Sequence, residues 1–290
     1  MIRHIILSAV LGAAVLPQGA LGQGGTDILV APFSDVAGRL SIGRPVNVTQ
    51  RTGYDNQPAF TRDGTAILFT STHADGQADI WRVSIDGGPA TRVTRTAESE
   101  YSATLLPHDD GFSVIRVEAD STQRLWRFRS DGTGAELVLR ALRPVGYHVW
   151  VGDVTLGTFV LGSPNALVLV DARTERADTL ARDIGRALVR VPGRDAFTFL
   201  QVGRDTSWIS EVDVRTRAVR RIAPAPVRSD YHLWTPSGRP LVSRGTQLLV
   251  RVDDRWDVLA DFAELGVRGI SRLALSPRGD RIAFVTEDAR

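Results

Sequence analysis

The 290-residue sequence contains no cysteine, no lysine and a single methionine. Without cysteine, the chain forms no disulfide bond, holds no cysteine-ligated zinc, has no thiol nucleophile and offers no attachment site for a lipoprotein anchor. Without lysine, all 35 basic residues are arginine, which we attribute to genome composition. The arginines are interleaved with 33 acidic residues, and the net charge is only +2. Since nucleic-acid binding needs a clustered positive face, we predict that the protein binds no nucleic acid.

Helical periodicity is also nearly absent. The segment Trp256–Gly266 is the only weak candidate for an amphipathic helix. What recurs instead is a series of short alternating or β-rich runs, such as "AILFTST", "FSVIRVEA" and "RIAFVTE", with Asp-Gly and similar turns between them. Many short strands at regular spacing are typical of an all-β sandwich, barrel or propeller.

The N-terminus has the pattern of a secretory signal peptide over residues 1–22. Arg3 supplies the positive charge, residues 5–16 are apolar, and the small-residue pattern Ala20-Leu21-Gly22 precedes the expected cleavage point. An uncleaved N-terminal anchor is the alternative, although the apolar run is short for a bilayer. No later stretch is apolar enough to cross a membrane. We therefore expect residues 23–290 to form a monomeric periplasmic or secreted protein without a membrane span.

A repeat of fixed period decides among the all-β folds. The segment Gln57–Arg95 parses as four strands, a to d. Its third strand, "DIWRVSIDG" at residue 79, is followed by similar strands at residues 124, 165, 207 and 246. The spacing of about 39 to 45 residues is the period of a propeller blade, which is one four-stranded antiparallel sheet.

The two ends of the predicted domain hold complementary half-blades. Thr26–Gln50 matches strands c and d of the repeat, and Ser271–Arg290 matches strands a and b. Pairing these halves closes the ring and removes two exposed sheet edges. We therefore predict a six-bladed β-propeller over residues 23–290. Its composite blade uses residues 26–50 and 266–290, and its other blades lie near residues 54–95, 98–141, 145–183, 184–226 and 229–264.

The repeat resembles the blade of TolB-type propellers, also called PD40 or WD40-like repeats. The resemblance rests on "PAFTRDGTAILFTS" followed by "ADIWRVSIDGGPATRVT", with further copies at Leu273–Phe284 and Leu233–Val242. It implies a periplasmic setting and protein partners in the cell envelope. TolB itself carries an α/β domain before its propeller, which this chain lacks, and propeller peptidases carry a catalytic domain. No Gly-x-Ser-x-Gly nucleophile elbow is present.

The sequences "GYHVW" at Gly146–Trp150 and "DYHLW" at Asp230–Trp234 echo each other 84 residues apart, which is two blade periods. We predict that both tryptophans pack between blades. The preceding Tyr-His pairs fall at the start of strand a, which lines the central channel of a propeller. Two interpretations of His148 and His232 stay open, namely metal ligands or general bases on one side, and hydrogen-bonded channel residues inherited by duplication on the other.

The loops between strand d and the next strand a supply the rest of a predicted binding mouth. The predicted ligand- or partner-binding residues are Tyr54, Asp55, Gln57, Glu100, Tyr101, Tyr147, His148, Arg186, Asp230, Tyr231, His232 and Arg268. We favour a non-enzymatic module without a cofactor that binds a protein or peptide in the cell envelope. The alternatives are a lyase or hydrolase acting in the channel mouth through His148 and His232, and a propeller that binds a sugar or another small molecule.

Overall fold

The computed structural model describes residues 25–72 and 74–288. The predicted signal peptide lies outside the described residues. Six antiparallel sheets follow one another in the described chain, and neighbouring sheets contact through their first strands in the ring order of the blades. The predicted six-bladed all-β propeller is therefore confirmed. No helix in the described part of the chain is long and apolar enough to cross a membrane.

The N-terminal strands and the five contiguous blades account for most of the sheet structure. The N-terminal strands are β1 (Thr26–Val36), β2 (Arg39–Ile42) and β3 (Val46–Asn47). Blade 1 contains β4 (Asp55–Phe60), β5 (Ala66–Thr72), β6 (Ala78–Ser84) and β7 (Thr91–Arg92). Blade 2 contains β8 (Ser99–Leu105), β9 (Phe112–Val117), β10 (Gln123–Phe128) and β11 (Glu136–Leu137).

The remaining strands continue the same meander. Blade 3 contains β12 (Val145–Trp150), β13 (Thr155–Val160), β14 (Ala166–Asp171) and β15 (Ala177–Arg182). Blade 4 contains β16 (Ile184–Arg190), β17 (Ala196–Gln201), β18 (Trp208–Asp213) and β19 (Val219–Pro224). Blade 5 contains β20 (His232–Trp234), β21 (Pro240–Arg244), β22 (Gln247–Val252) and β23 (Arg255–Asp261), and β24 (Ser271–Leu275) and β25 (Arg281–Glu287) end the described chain.

The sixth blade joins the two ends of the described chain, as predicted. Its strand order is β2-β1-β25-β24, with β3 also beside β1. β1 and β25 are antiparallel over seven residue pairs, from Thr26 opposite Glu287 to Pro32 opposite Arg281. Within the described residues no loop joins β1 directly to β25, so their pairing closes the ring and takes the place of two open sheet edges.

The β1–β2 hairpin extends beyond the composite blade and contacts β23 of blade 5. The Asp35 carboxylate accepts a hydrogen bond from the Ser237 backbone N–H at 2.8 Å, and the Arg239 guanidinium donates to the Gly38 carbonyl at 2.8 Å. The hairpin therefore fastens the composite blade to blade 5 as well as closing its own sheet.

Second strands are largely buried because both faces of a blade are covered by neighbouring blades. In β5, six consecutive residues are buried. One cluster shows how blades pack together. Leu68 and Ile80 of blade 1 contact Phe112, Val114 and Phe128 of blade 2. The hydrophobic core thus consists of the interfaces between neighbouring blades, which we call seams. The weak helical candidate at residues 256–266 is instead strand β23 followed by a short 3-10 turn at Ala263–Leu265.

Candidate functional site

The four tyrosines of the chain all lie at the beginning of inner strands. Tyr101 and Tyr147 lie within β8 and β12, and Tyr54 and Tyr231 immediately precede β4 and β20. Inner strands run in the same direction around a propeller, so their beginnings meet at one mouth of the central channel. All four side chains are half-buried. We call this end of the channel the tyrosine mouth, defined by Tyr54, Tyr101, Tyr147, Tyr231 and Arg272.

Arg272 of the composite blade lies among these rings. Its Nη2 donates a hydrogen bond to the Tyr147 hydroxyl at 3.0 Å. Its guanidinium carbon lies 4.9 Å from the ring centre of Tyr147 and 4.7 Å from that of Tyr231. Both distances are within the range of cation–π attraction. Since the composite blade lies opposite blade 3 in a ring of six, the contact with Tyr147 crosses the channel.

A β-bulge directs Arg272 into the channel. The pairing of β24 with β25 shifts register between Ser271 and Ala274, and Arg272 has a φ of 49°. The bulges of blades 1 and 2 place Gln57 and Ser102 in the same conformation, each with a φ of 58°. A bulge re-aims the side chain at its extra residue. Arg272 is not among the residues predicted from sequence, but alignment of "RLALSPRG" with "QPAFTRDG" would have matched it to Gln57.

Burial shapes the ionisation of this site. Burial raises the pKa of Tyr54, Tyr101 and Tyr231, while the positive charge of Arg272 partly offsets this effect on Tyr54 and Tyr231. Burial acts to lower the pKa of Arg272, yet the nearby phenols of Tyr147, Tyr231 and Tyr54 outweigh it and raise that pKa. At neutral pH the site therefore holds one charged guanidinium among neutral phenols.

The predicted rim residues occupy different positions around this mouth. Arg186 and Asp230 are exposed, and both act electrostatically on Tyr231. Arg268 is exposed, and its backbone N–H donates to the Thr286 hydroxyl at 2.9 Å. Gln57 is half-buried, and its side-chain oxygen accepts from the Thr70 hydroxyl at 2.7 Å and from the Ser102 backbone N–H at 2.9 Å. Gln57 therefore joins blade 1 to blade 2.

Two of the three predicted carboxylates lie beneath the surface. Asp55 and Glu100 are both completely buried. Arg51 Nη2 lies 2.7 Å from Asp55 Oδ1, and Arg116 Nε lies 3.1 Å from Glu100 Oε1. Burial raises the pKa of both carboxyl groups, and the arginine partners oppose that rise. The structure thus gives each of them an arginine partner, from the preceding loop for Asp55 and from the neighbouring strand for Glu100.

Arg116 is itself enclosed by aromatic rings. Its guanidinium carbon lies 4.2 Å from the ring centre of Trp126 and 5.2 Å from that of Phe128. The side chain of Arg116 is only 7% exposed. A buried guanidinium needs a compensating charge. Glu100 provides the nearer one here, and Glu98 lies 4.0 Å away.

His148 and His232 lie in seams between blades. His148 Nε2 is 2.6 Å from the Ser113 hydroxyl of blade 2, which also accepts from the Trp150 indole at 2.9 Å. His232 Nε2 is 2.8 Å from the Thr198 hydroxyl of blade 4. That hydroxyl accepts from the Trp234 indole at 2.9 Å. The repeated sequence therefore builds the same three-residue cluster twice.

Burial keeps both imidazoles neutral. It lowers the pKa of His148 to about 3 and that of His232 to about 4. Each imidazole already uses its Nε2 on a hydroxyl of the preceding blade, and both tryptophans pack in the neighbouring apolar clusters, as the sequence predicts. Within residues 25–72 and 74–288, no group of three or more histidine, aspartate or glutamate side chains is arranged to hold a metal ion.

Two surface clefts lie away from the tyrosine mouth. One of about 750 Å³ is lined by the turns around Arg194 and Ser276, at the opposite mouth of the channel. The other, of about 440 Å³, lies between blades 4 and 5 beside Arg239. Arg194 is already paired with Glu211 at 2.6 Å, so the first cleft offers no unpaired charge from that residue. We therefore place the candidate site at the tyrosine mouth, where aromatic rings surround a charge.

Sequence comparison matches one short segment of the chain. No protein-family model matches the sequence. An uncharacterized protein of Agrobacterium fabrum is 30% identical over 81 residues, which are 28% of this chain and 27% of that protein. The matched segment is thus little more than a quarter of the relative's length.

Solved structures match over most of the chain. A protein from Agrobacterium tumefaciens, assigned provisionally as TolB, superposes with a TM-score of 0.72 at 16% identity, covering 92% of this chain and 99% of its own. TolB from Acinetobacter baumannii gives a TM-score of 0.54 at 15% identity, covering 68% of this chain and 51% of its own, so this chain spans about half of it. A chain of the nidogen–laminin complex gives 0.57 at 12% identity, covering 90% and 98%. In fold, the chain is a TolB-like six-bladed β-propeller.

Proposed function

We propose that this chain is an exported, non-enzymatic propeller that binds a protein or peptide in the cell envelope through the tyrosine mouth. The observation that carries the proposal is the convergence of Tyr54, Tyr147 and Tyr231 on the charged Arg272, with Tyr101 acting electrostatically on Tyr54. Tyrosine and arginine are enriched among the residues that dominate protein-binding energy, because they combine large apolar area with hydrogen-bonding groups. The exposed Arg186 and Asp230 supply a polar rim of both signs.

Similarities of fold support the choice of a macromolecular partner. One similar structure is TolB from Acinetobacter baumannii, and another is the Agrobacterium tumefaciens protein that is assigned provisionally as TolB. A third belongs to the nidogen–laminin complex, which is an assembly of proteins. Propellers also host unrelated functions, so the proposal relies on the mouth as well as on the fold.

The enzymatic alternative has less support. It assigned chemistry to His148 and His232, whose exposed fractions are 6% and 3%. A general base needs access to substrate and a pKa near the working pH, whereas burial lowers the pKa of these imidazoles to about 3 and about 4. A sugar or another small molecule is the second class of ligand, because an aromatic mouth can bind a small molecule as well as a peptide.

Export is the second part of the proposal. It rests on the signal-peptide pattern of residues 1–22. Cell fractionation followed by N-terminal sequencing tests it. We expect a periplasmic or secreted protein that begins near Gln23. Recovery of the uncleaved chain in the membrane fraction would instead support the N-terminal anchor.

Photo-crosslinking tests the docking face. A photoreactive amino acid replaces Tyr231 in one variant and Arg190, at the opposite mouth, in the matched control. We expect a discrete adduct with an envelope protein from the first position only. The adduct should also disappear in a chain that carries Arg186→Ala and Asp230→Ala, but persist with Arg190→Ala and Asp195→Ala. Adducts of equal yield from both mouths, or from Arg190 alone, would contradict the proposed docking face.

A further inference from the structure

We propose that Arg272 is the receptor for a carboxylate group of the bound peptide, which the surrounding phenols help to hold. This inference rests on the proposed function for the origin of the carboxylate, but the site itself is defined by the residues of the mouth. It assigns to Arg272 a ligand chemistry that the TolB-like fold does not specify.

Arg272 differs in its partners from arginines that are buried or partly buried elsewhere in the chain. Arg116 is paired with Glu100 and Arg51 with Asp55, at 3.1 Å and 2.7 Å. Arg92 is paired with Asp79 at 2.9 Å. In the described part of the chain, we find no carboxylate within ion-pair distance of Arg272. Its charge is balanced only by the π faces and the hydroxyl oxygen of tyrosines.

The geometry leaves part of the guanidinium available. The rings of Tyr147 and Tyr231 lie close to its carbon atom, and a single N–H donor is used on the Tyr147 hydroxyl. A guanidinium has five N–H donors arranged in a planar fork that fits a carboxylate through two parallel hydrogen bonds. Arg272 is half-buried, so a ligand entering the mouth can reach it. Aromatic walls exclude water and strengthen such a contact.

The phenols complement a carboxylate as well. Because burial raises the pKa of Tyr54, Tyr101 and Tyr231, these hydroxyls stay protonated and can donate hydrogen bonds at neutral pH. The positive Arg186 also acts on Tyr231 from the rim. The negative Asp230 opposes it, but Asp230 is exposed and its charge is screened by salt.

The charge of the site favours a carboxylate over a phosphate. A single guanidinium at the centre matches one negative charge. Phosphorylated groups carry nearly two negative charges and are recognised by clusters of arginines. The carboxylate has two natural sources, namely the C-terminus of a peptide and an aspartate or glutamate side chain.

The distribution of tyrosine provides a selective probe. All four tyrosines belong to the tyrosine mouth, so fluorotyrosine incorporated into the whole chain reports on this site alone in a fluorine NMR spectrum. Three short acetylated peptides of alanine and serine are titrated into the labelled protein. One ends in a free carboxylate, one ends in an amide, and one ends in an amide but contains a glutamate.

We expect at least one carboxylate-bearing peptide to shift the fluorine signals with an affinity about tenfold or more above that of the neutral amide. Binding of the first peptide alone identifies a C-terminal carboxylate, and binding of the glutamate peptide identifies a side chain. Equal binding of all three peptides, or binding of none, would overturn the proposal. Arg272→Gln should abolish the preference in a chain whose fluorine spectrum shows that it is folded.

The test separates this inference from the proposed function. Binding of the carboxylate peptides without any adduct from Tyr231 would retain the site and reject the envelope partner. An adduct from Tyr231 with no preference for carboxylate would retain the partner and reject the role of Arg272. The comparison of peptides uses the unmodified sequence, so it remains decisive if Arg272→Gln fails to fold.

Discussion

Arg272 donates a hydrogen bond to the Tyr147 hydroxyl at 3.0 Å from the opposite side of the channel, although 125 residues separate them in the chain. The contact joins the composite blade to blade 3. The positive charge of Arg272 also lowers the pKa of Tyr54 and Tyr231, in opposition to burial.

The ionisation of tyrosine follows from this coupling. Burial raises the pKa of Tyr54, Tyr101 and Tyr231 above the ordinary value of 10.0. An ultraviolet titration of tyrosinate absorbance should therefore rise at higher pH than for tyrosine in an unfolded chain. Arg272→Gln should move the titration to still higher pH, because it removes the positive charge that favours the phenolate. Arg268→Gln, on the exposed rim, is the control. A normal titration in the folded protein would show that the phenols are not enclosed.

The seam hydroxyls should contribute strongly to stability. Thr198→Val removes the oxygen that serves both His232 and the Trp234 indole. A buried donor without a partner costs about 1–3 kcal/mol, so we expect the free energy of unfolding in urea to fall by about that amount. Thr198→Ser keeps the hydroxyl and serves as the control. Unchanged stability in Thr198→Val, or a larger loss in Thr198→Ser, would show that the methyl group matters more than the hydrogen bonds.

Acid should destabilise the protein through its two buried imidazoles. Their folded pKa values, about 3 for His148 and about 4 for His232, lie below the ordinary value of 6.5. The unfolded chain therefore binds more protons below pH 6.5, and stability is lost as the pH falls from 6.5 towards 4. Each imidazole should lower the free energy of unfolding by about 1.5 kcal/mol between pH 6.5 and pH 5.

Comparison with a variant isolates this effect from that of the buried carboxyl groups. The double variant His148→Gln and His232→Gln retains Asp55 and Glu100, so any difference in pH dependence belongs to the imidazoles. We expect urea denaturation to give a flatter dependence for the variant across this range. Parallel curves for the two proteins would refute the assignment of buried, neutral histidines.

The buried ion pair of blade 2 gives a further expectation. Glu100→Gln leaves the Arg116 guanidinium, among the rings of Trp126 and Phe128, with only the more distant carboxylate of Glu98 at 4.0 Å. Removing one member of a buried pair costs about 3–5 kcal/mol. The glutamine still accepts a hydrogen bond, so we expect a loss near the lower end.

A matched substitution at the surface controls for the change from glutamate to glutamine. Glu136 lies 2.6 Å from Arg127, but both side chains are about half exposed, at 61% and 49%. Glu136→Gln should therefore cost less than about 1 kcal/mol. If urea denaturation gave equal losses of unfolding free energy for Glu100→Gln and Glu136→Gln, the buried ion pair of Arg116 would contribute no more to stability than the exposed pair.

Ring closure depends on the N-terminal strands. Deletion of residues 26–50 exposes the edge of β25, and we expect the cooperative unfolding transition to disappear. A circular permutant provides the control. Asp288 N–H donates to the Gly25 carbonyl at 2.7 Å, so a short Asn-Gly turn can join residue 288 to residue 25 in a chain that begins at Arg51. The permutant should unfold cooperatively. A cooperative transition in the deleted chain would show that the ring does not need the composite blade.

The fold was predictable because a propeller is a local repeat. Strand alternation, Asp-Gly turns and a period of about 42 residues are visible in the sequence, and the half-repeats at Thr26–Gln50 and Ser271–Arg290 indicated how the ring closes. The same regularity placed Tyr147 and Tyr231 at the start of inner strands. These features depend on neighbours within one blade, so they can be recognised without knowledge of the tertiary structure.

The direction of individual side chains was decided only by the packed ring. Tyr147 and His148 are consecutive, yet Tyr147 contacts Arg272 across the channel and His148 enters a seam, because neighbouring residues of a strand face opposite sides. Glu100 became internal because Arg116 from the adjacent strand provides its counter-charge. Arg272 entered the mouth because a bulge re-aims it. The sequence by itself determined a closed six-bladed ring with tyrosines at one mouth. Contacts between residues far apart in the chain decided which charges face that mouth.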